Sequence, residues 1–214
     1  MSNVVDMRAQ LASAALPSPV LTASGCAAAG RELDRFFDVT AIGAVVTKSI
    51  MASPRSGRPT PRMAETPAGM LNSIGLQGPG VEEFIRKDLR WLRERGARTV
   101  VSIAGGSVNE FAELANRLRH EEGISAIEVN ISCPNVESRG QVFACDARAA
   151  GSVIHAVRRP EFGRAHPKNP PAFSYSRAGK SSRKRRLADA RRGCSVWQFD
   201  AGDHEHLHIG REPK

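Results

Sequence analysis

Three short runs punctuate the chain in which β-branched and small apolar residues follow one another with little polar interruption. "AIGAVVTKSI" (Ala41 to Ile50), "TVVSIAGG" (Thr99 to Gly106) and "AIEVNIS" (Ala126 to Ser132) share one shape, an apolar body with polar residues towards the end. Such runs suit strands buried on both faces. Between them the period changes to that of a helix. Val81, Phe84, Ile85, Leu89 and Leu92 fall on one helical face, and Gly96 is placed to end that helix. "SVNE" offers Ser107 as an N-cap with Glu110 three residues on, followed by a stripe of Val108, Phe111, Leu114 and Leu118. The pattern predicts a further helix over Asp146 to Val157.

Strands alternating with helices imply a parallel sheet built from βαβ units. Two architectures fit, an open doubly wound sheet and a (β/α)8 barrel. In both, ligand-contacting residues collect where strands end and loops begin. The polar clusters "TKS", "AGG" and "NISCPN" stand at those places. No G-x-G-x-x-G leads from a strand into a helix, which favours the α/β class with (β/α)8 TIM-barrel architecture. The segment from Ser53 to Gly80 is rich in Pro and Gly and reads as a long loop, uncommon unless it serves a site. Its "NSIGL", Asn72 to Leu76, suits a small polar ring or a carboxylate, with a solvated surface loop as the alternative.

Four positions carry candidate chemistry. Lys48 ends a buried strand, where a charge either reaches solvent along its stem or faces a bound anion or an electron-rich cofactor. Asn130 and Ser132 share one side of their strand and are site residues if that side is the barrel interior. Cys133 precedes Pro134, which cannot donate to a ladder, so the thiol lies at the sheet rim. There it could act as a nucleophile, or as a general base if neighbouring donors lower its pKa. His120 and His155 lie in helical contexts and are expected at the surface, which argues against a cysteine hydrolase. Cys26 and Cys145 are expected to be small buried hydrophobes.

Charge divides the chain. Of a net +9 over 214 residues, most sits in residues 159–214, with 13 Lys+Arg against 6 Asp+Glu and few large apolar residues. Such a segment buries too little apolar surface to offset its ordering entropy. The expected organisation is a globular part, 1–158, and a basic, disordered tail, 159–214. "SSRKRRLADARR" could serve as a nucleic-acid patch, but it lacks aromatic interleaving, so nucleic acid is not the expected partner. His204, His206 and His208 alternate without a companion ligand pair, and no metal site is expected. No apolar stretch is long enough to span a membrane, and no signal-peptide pattern opens the chain. The four cysteines have no C-x-x-C spacing, so free thiols in a cytoplasmic setting are expected.

Taken together, "VLTASGC", "VVTKSI", "PTPRMAETPAGMLNSIGLQGPG" and "EVNISCPN" resemble the class 1 dihydroorotate dehydrogenases, FMN enzymes of pyrimidine biosynthesis. The likeness covers about residues 4 to 158, with four separated motifs in the family's order. It implies a barrel with FMN across its C-terminal mouth, and Ser24, Lys48 and Ser49 beside the flavin. Asn72, Ser73, Ile74, Gly75 and Leu76 would bind the dihydroorotate or orotate ring. Asn130 would touch flavin and substrate, Lys48 would also reach the substrate, and Asn135 would contact it. Cys133 would be the base that takes the C5 proton while a hydride leaves C6 for the flavin. Ser102 stands where family members often carry a flavin-contacting asparagine. The cysteine points to the soluble class, and "NSIGLQGPG" resembles its 1B branch, which passes electrons to NAD through a separate iron–sulfur subunit. A homo-oligomer is implied for a full-length relative. Related dihydropyrimidine dehydrogenases share "NISCPN", and a basic nucleic-acid-binding fragment is the non-enzymatic alternative.

The family pattern breaks off near residue 159, before the strand ends that would cradle the FMN phosphate. The Arg, Pro, Gly and Ala richness beyond it reads as a GC-rich gene translated out of frame. On that reading the chain carries the first half of the barrel, with weak or no activity alone and poor retention of FMN.

Overall fold

The computed structural model describes residues 5–11, 14–132, 143–159, 172–176 and 195–197, the last two segments by their backbone. Five strands form one parallel sheet in the order β3 (Val45–Val46), β6 (Thr99–Ile103), β7 (Ile124–Asn130), β8 (Ala172–Ser176) and β9 (Ser195–Trp197). Residues Leu21 to Ser24 run alongside β3, joined by a parallel bridge of Leu21 to Ala44. Thr22 secures that seam, because its Oγ1 accepts from Val46 N at 2.8 Å and donates to Val46 O at 3.1 Å. Within this sheet each strand therefore lies beside the next of its members along the chain. A doubly wound sheet reverses its strand order at a switch point, whereas a barrel proceeds in one direction. The fold is of the (β/α)8 barrel type, as expected.

The two faces of the sheet hold different contents. Val101, Ile103, Ile127 and Val129 point outward and are buried under helices. Those helices are α1 (Val81–Phe84), a wide π turn (Ile85–Leu89) that continues into α2 (Arg90–Arg95), α3 (Val108–Arg119) and α4 (Ala147–Arg158). Phe84, Phe111, Leu114 and Leu118 supply the covering layer, each stabilising the fold by roughly 1.5–3 kcal/mol through burial. Phe111 also meets the Phe143 ring edge-on, with centroids 5.9 Å apart. On the inner face Ala44, Val46, Val100 and Ala126 form an apolar floor. Leu11 and Leu16 of the hairpin β1 (Ala9–Leu11) and β2 (Ala14–Leu16) close that floor from below.

Helix ends follow the predicted chemistry. Ser107 caps α3, its side chain accepting from Glu110 N at 3.2 Å, while the Glu110 carboxylate takes Gly106 N at 2.7 Å. Asp146 caps α4 by accepting from Arg148 N at 2.7 Å and Ala149 N at 3.3 Å. Gly96 ends α2 with φ 75°, a left-handed conformation that costs glycine little.

Two expectations need correction. The segment from Ser53 to Gly80 is not without structure, since Met63–Thr66 (β4) and Gly69–Asn72 (β5) pair as an antiparallel hairpin. Its turn carries Pro67 at the second position and Gly69 at the fourth, the residues such turns favour. Cys26 and Cys145 are exposed rather than buried. In each turn the neighbouring alanine, Ala27 or Ala144, takes the buried place instead. His120 and His155 are exposed, as expected.

Within 159–214 the strands β8 and β9 extend the sheet. The basic run 181–192 and the histidines 204, 206 and 208 lie outside the described residues. No described helix is long and apolar enough to cross a membrane.

Candidate active site

The polar residues at the strand ends meet above the apolar floor. Ser102 on β6 and Glu128 on β7 are directly paired in register, and both point inward. Ser102 Oγ donates to Glu128 Oε1 at 2.7 Å. Ser102 Oγ also lies 3.0 Å from Ser49 Oγ, which in turn lies 3.3 Å from Ser24 Oγ. From the other side Asn130 Nδ2 donates to Ser49 Oγ at 3.0 Å. Asn130 Oδ1 then accepts from Ser132 Oγ at 2.8 Å and from Ser132 N at 3.2 Å. One connected network thus joins four strand-end segments of the barrel.

Ser49 reaches the network through a local irregularity. Val46 pairs with Val100 and Ile50 with Ile103, so β3 and its continuation to Ile50 advance one residue more than β6 over the same span. The extra residue is a bulge, which breaks strict alternation and turns Ser49 inward. Thr47 fills the gap, its Oγ1 accepting from Ser102 N at 3.2 Å. Lys48, half-buried beside it, is held through its backbone N to Ala28 O at 2.8 Å. Its ammonium extends over the turn at Gly25, and among the described residues no carboxylate forms an ion pair with it.

Glu128 is 3% exposed, and burial pushes its carboxyl above the ordinary range, against the opposing hydrogen bonds from Ser102 and Ser24. The proton-bearing form is the one that a low-dielectric wall favours.

Asn72 to Leu76 approach from the hairpin. Leu76 is buried against Met51 and Ala104, the residues that follow the continuation of β3 to Ile50 and the end of β6. This anchors the segment over the C-terminal side of the sheet. Gly75, with φ 78°, lets the chain pass the Arg58 backbone, where an added Cβ would lie 2.9 Å from Arg58 N. Ile74 O accepts from Arg58 N at 3.0 Å, while Asn72 and Ser73 are exposed.

The chain matches the family model for dihydroorotate dehydrogenase over residues 7–171. The chain belongs to the dihydroorotate dehydrogenase family. A relative from Geobacter sulfurreducens, "Dihydroorotate dehydrogenase B (NAD(+)), catalytic subunit", is 44% identical over 153 residues, 72% of this chain and 50% of that protein. Its counterpart of the same name from Pelobacter propionicus is 47% identical over 154 residues, covering 72% and 51%. A third, from Alkaliphilus metalliredigens, is 42% identical over 155 residues, covering 72% and 51%. The chain spans about half the length of the curated relatives it matches.

Of the residues that the sequence analysis attached to this dihydroorotate dehydrogenase family, Ser24, Ser49, Ser102 and Asn130 are brought into one network. Lys48 sits beside them, and Leu76 is anchored nearby. Asn72 and Ser73 share no described hydrogen bond with the network. Cys133 and Asn135 lie outside the described residues. Glu128 was not singled out from the sequence. Its signal was present, since Glu128, Asn130 and Ser132 share the period of two in a run otherwise apolar on both faces.

Proposed function

We propose that the chain serves FMN-dependent oxidation of dihydroorotate to orotate in UMP synthesis. The observation that carries this reading is the network of Ser24, Ser49, Ser102 and Asn130 at the strand ends, beside a lysine with no described carboxylate partner. A cation and several fixed hydroxyl and amide groups around one mouth suit a planar, electron-rich heterocycle and an anionic ring substrate.

The reaction breaks the C5–H and C6–H bonds of dihydroorotate and forms a C5=C6 double bond. FMN, when bound, supplies the acceptor for the two electrons that leave with the C6 hydrogen. Cys133, as a thiolate, takes the proton from C5. Lys48 balances negative charge on the flavin side and on the substrate carboxylate. Asn130 and Asn135 orient the substrate ring, and Asn72 to Leu76 close against it from the hairpin. Ser24 and Ser49 hold the flavin edge.

The relatives' names speak of NAD(+) and of a catalytic subunit. We read the partner as a separate iron–sulfur subunit that carries the electrons on to NAD, and the setting as cytoplasmic, with a homo-oligomer in the full-length protein.

The test is anaerobic mixing of the purified chain, excess FMN and dihydroorotate. A slow, partial loss of the oxidised-flavin absorbance, in keeping with the weak activity expected of half a barrel, is expected with the wild type and not with Cys133→Ala. No bleaching by the wild type at saturating FMN would sink the reading.

A further inference from the structure

Among the buried residues described, Glu128 is the one titratable side chain, and no step of the proposed reaction uses it. It lies in the inner wall, with Ser102 beside it in register and Asn130 two residues on along the same strand.

Ser102 has a single hydroxyl proton and gives it to Glu128 Oε1 at 2.7 Å. The 3.0 Å contact between Ser102 and Ser49 must then use the proton of Ser49. With that proton committed, Ser49 Oγ can only accept, and it accepts from Asn130 Nδ2 at 3.0 Å. Ser24 also commits its one proton inward, to Glu128 or to Ser49 Oγ at 3.3 Å, because the proton of Ser49 is already given to Ser102. At the other end Ser132 N can only donate, which assigns the facing Asn130 atom as oxygen. That agrees with the direction set by Glu128. Every hydrogen bond from Ser24 to Glu128 therefore points one way, and Ser24, at the half-buried end, keeps its lone pairs for an outside donor.

We propose that Glu128 is a positioning residue of the strand-end site: its carboxyl sets the direction of the hydroxyls of Ser24, Ser49 and Ser102, so that Ser24 faces a bound ligand as an acceptor for an N–H group and Ser49 is held as the acceptor that, together with Ser132, locks the Asn130 amide in one orientation. The ligand class is a planar heterocycle with a ring N–H at its edge. This deepens the site reading above and rests on it for the ligand, but the locked amide stands on the network alone. Burial raises the carboxyl, and either protonation form keeps an oxygen able to accept from Ser102.

The test uses the full 214-residue chain with Glu128→Gln, which keeps an acceptor oxygen, and Glu128→Met, which keeps the volume and removes the acceptor. Two readouts are taken, the side-chain amide NMR signals of Asn130 with their hydrogen-exchange rates, and FMN affinity by quenching of flavin fluorescence. Glu128→Gln is expected to match the wild type within about twofold in both. Glu128→Met is expected to speed exchange of the Asn130 amide protons and to weaken FMN binding about tenfold, the size of one unmade hydrogen bond. Wild-type behaviour of Glu128→Met in the amide readout overturns the proposal. Should Glu128→Met not fold, Ser102→Ala cuts the same link with the carboxyl in place, and unchanged Asn130 exchange there overturns it equally. If the wild type binds no FMN, the flavin reading fails and the amide readout alone decides the role of Glu128.

Discussion

Ser49 Oγ lies 3.0 Å from Ser102 Oγ, although strict alternation from Val46 would put Lys48, not Ser49, on the inner face with Ser102. The bulge between Val46 and Ile50 makes the difference. It sets a hydroxyl into the wall and leaves the lysine half-buried above it, so a charge needed at the mouth is not forced into the core.

Ser49→Ala should show what that placement contributes. The Asn130 amide and the Ser24 and Ser102 hydroxyls would lose a shared partner, and the expected cost is about 1–2 kcal/mol of unfolding free energy. Urea denaturation followed by circular dichroism measures it, and no loss would mean that solvent replaces the hydroxyl.

Glu128 should give stability a distinctive pH dependence. Its carboxyl is raised in the folded state, so its contribution is fully present below the ordinary carboxyl pKa and is lost as pH rises through the raised value. Glu82, Glu83 and Glu94 are lowered by arginine and lysine partners and act in the opposite sense, losing their contribution as pH falls. They are shared by wild type and Glu128→Gln. The stability difference between those two proteins should therefore move in favour of Glu128→Gln as pH climbs from 4.5, and a flat difference over a series of urea titrations would contradict the assignment.

The helix caps predict separable losses. Ser107→Ala and Asp146→Ala should each cost about 1 kcal/mol, because each leaves first-turn N–H groups of α3 or α4 without an acceptor. The two sites lie on different helices and share no hydrogen-bond partner, so the double variant should lose close to the sum. Thermal unfolding of the three variants checks both statements.

Phe111→Ala should be the most damaging of these substitutions, at about 3–5 kcal/mol. Phe111 is 1% exposed, packs from α3 against the sheet, and meets Phe143 edge-on. Phe111→Leu, which refills most of the space, should recover the greater part of that loss in the same denaturation assay.

The helices were legible because their signals are local. The stripe from Val108 to Leu118 and the caps at Ser107 and Asp146 need only neighbours within a turn or two. The hairpin Met63–Thr66 with Gly69–Asn72 was missed because its eight residues are all exposed and show no apolar alternation, leaving its Pro67 and Gly69 turn as the one cue. Cys26 and Cys145 were misplaced for a related reason. A small residue in a turn is buried or exposed by the direction of one Cα–Cβ bond, and composition does not carry that direction.

The chain's sequence by itself determined three buried strands of the sheet and the helices that cover them, the polar residue types gathered at the strand ends, and membership of its family, since periodicity, capping and ordered motifs are properties of neighbouring residues. Only the tertiary structure decided that Ser49 faces inward, that Glu128 receives the Ser102 hydroxyl, and that Leu76 anchors the hairpin over the sheet. Each of those depends on cross-strand register, where a shift of one residue exchanges the inner and outer faces. Register is set by how whole strands pack, and no single stretch of sequence contains it.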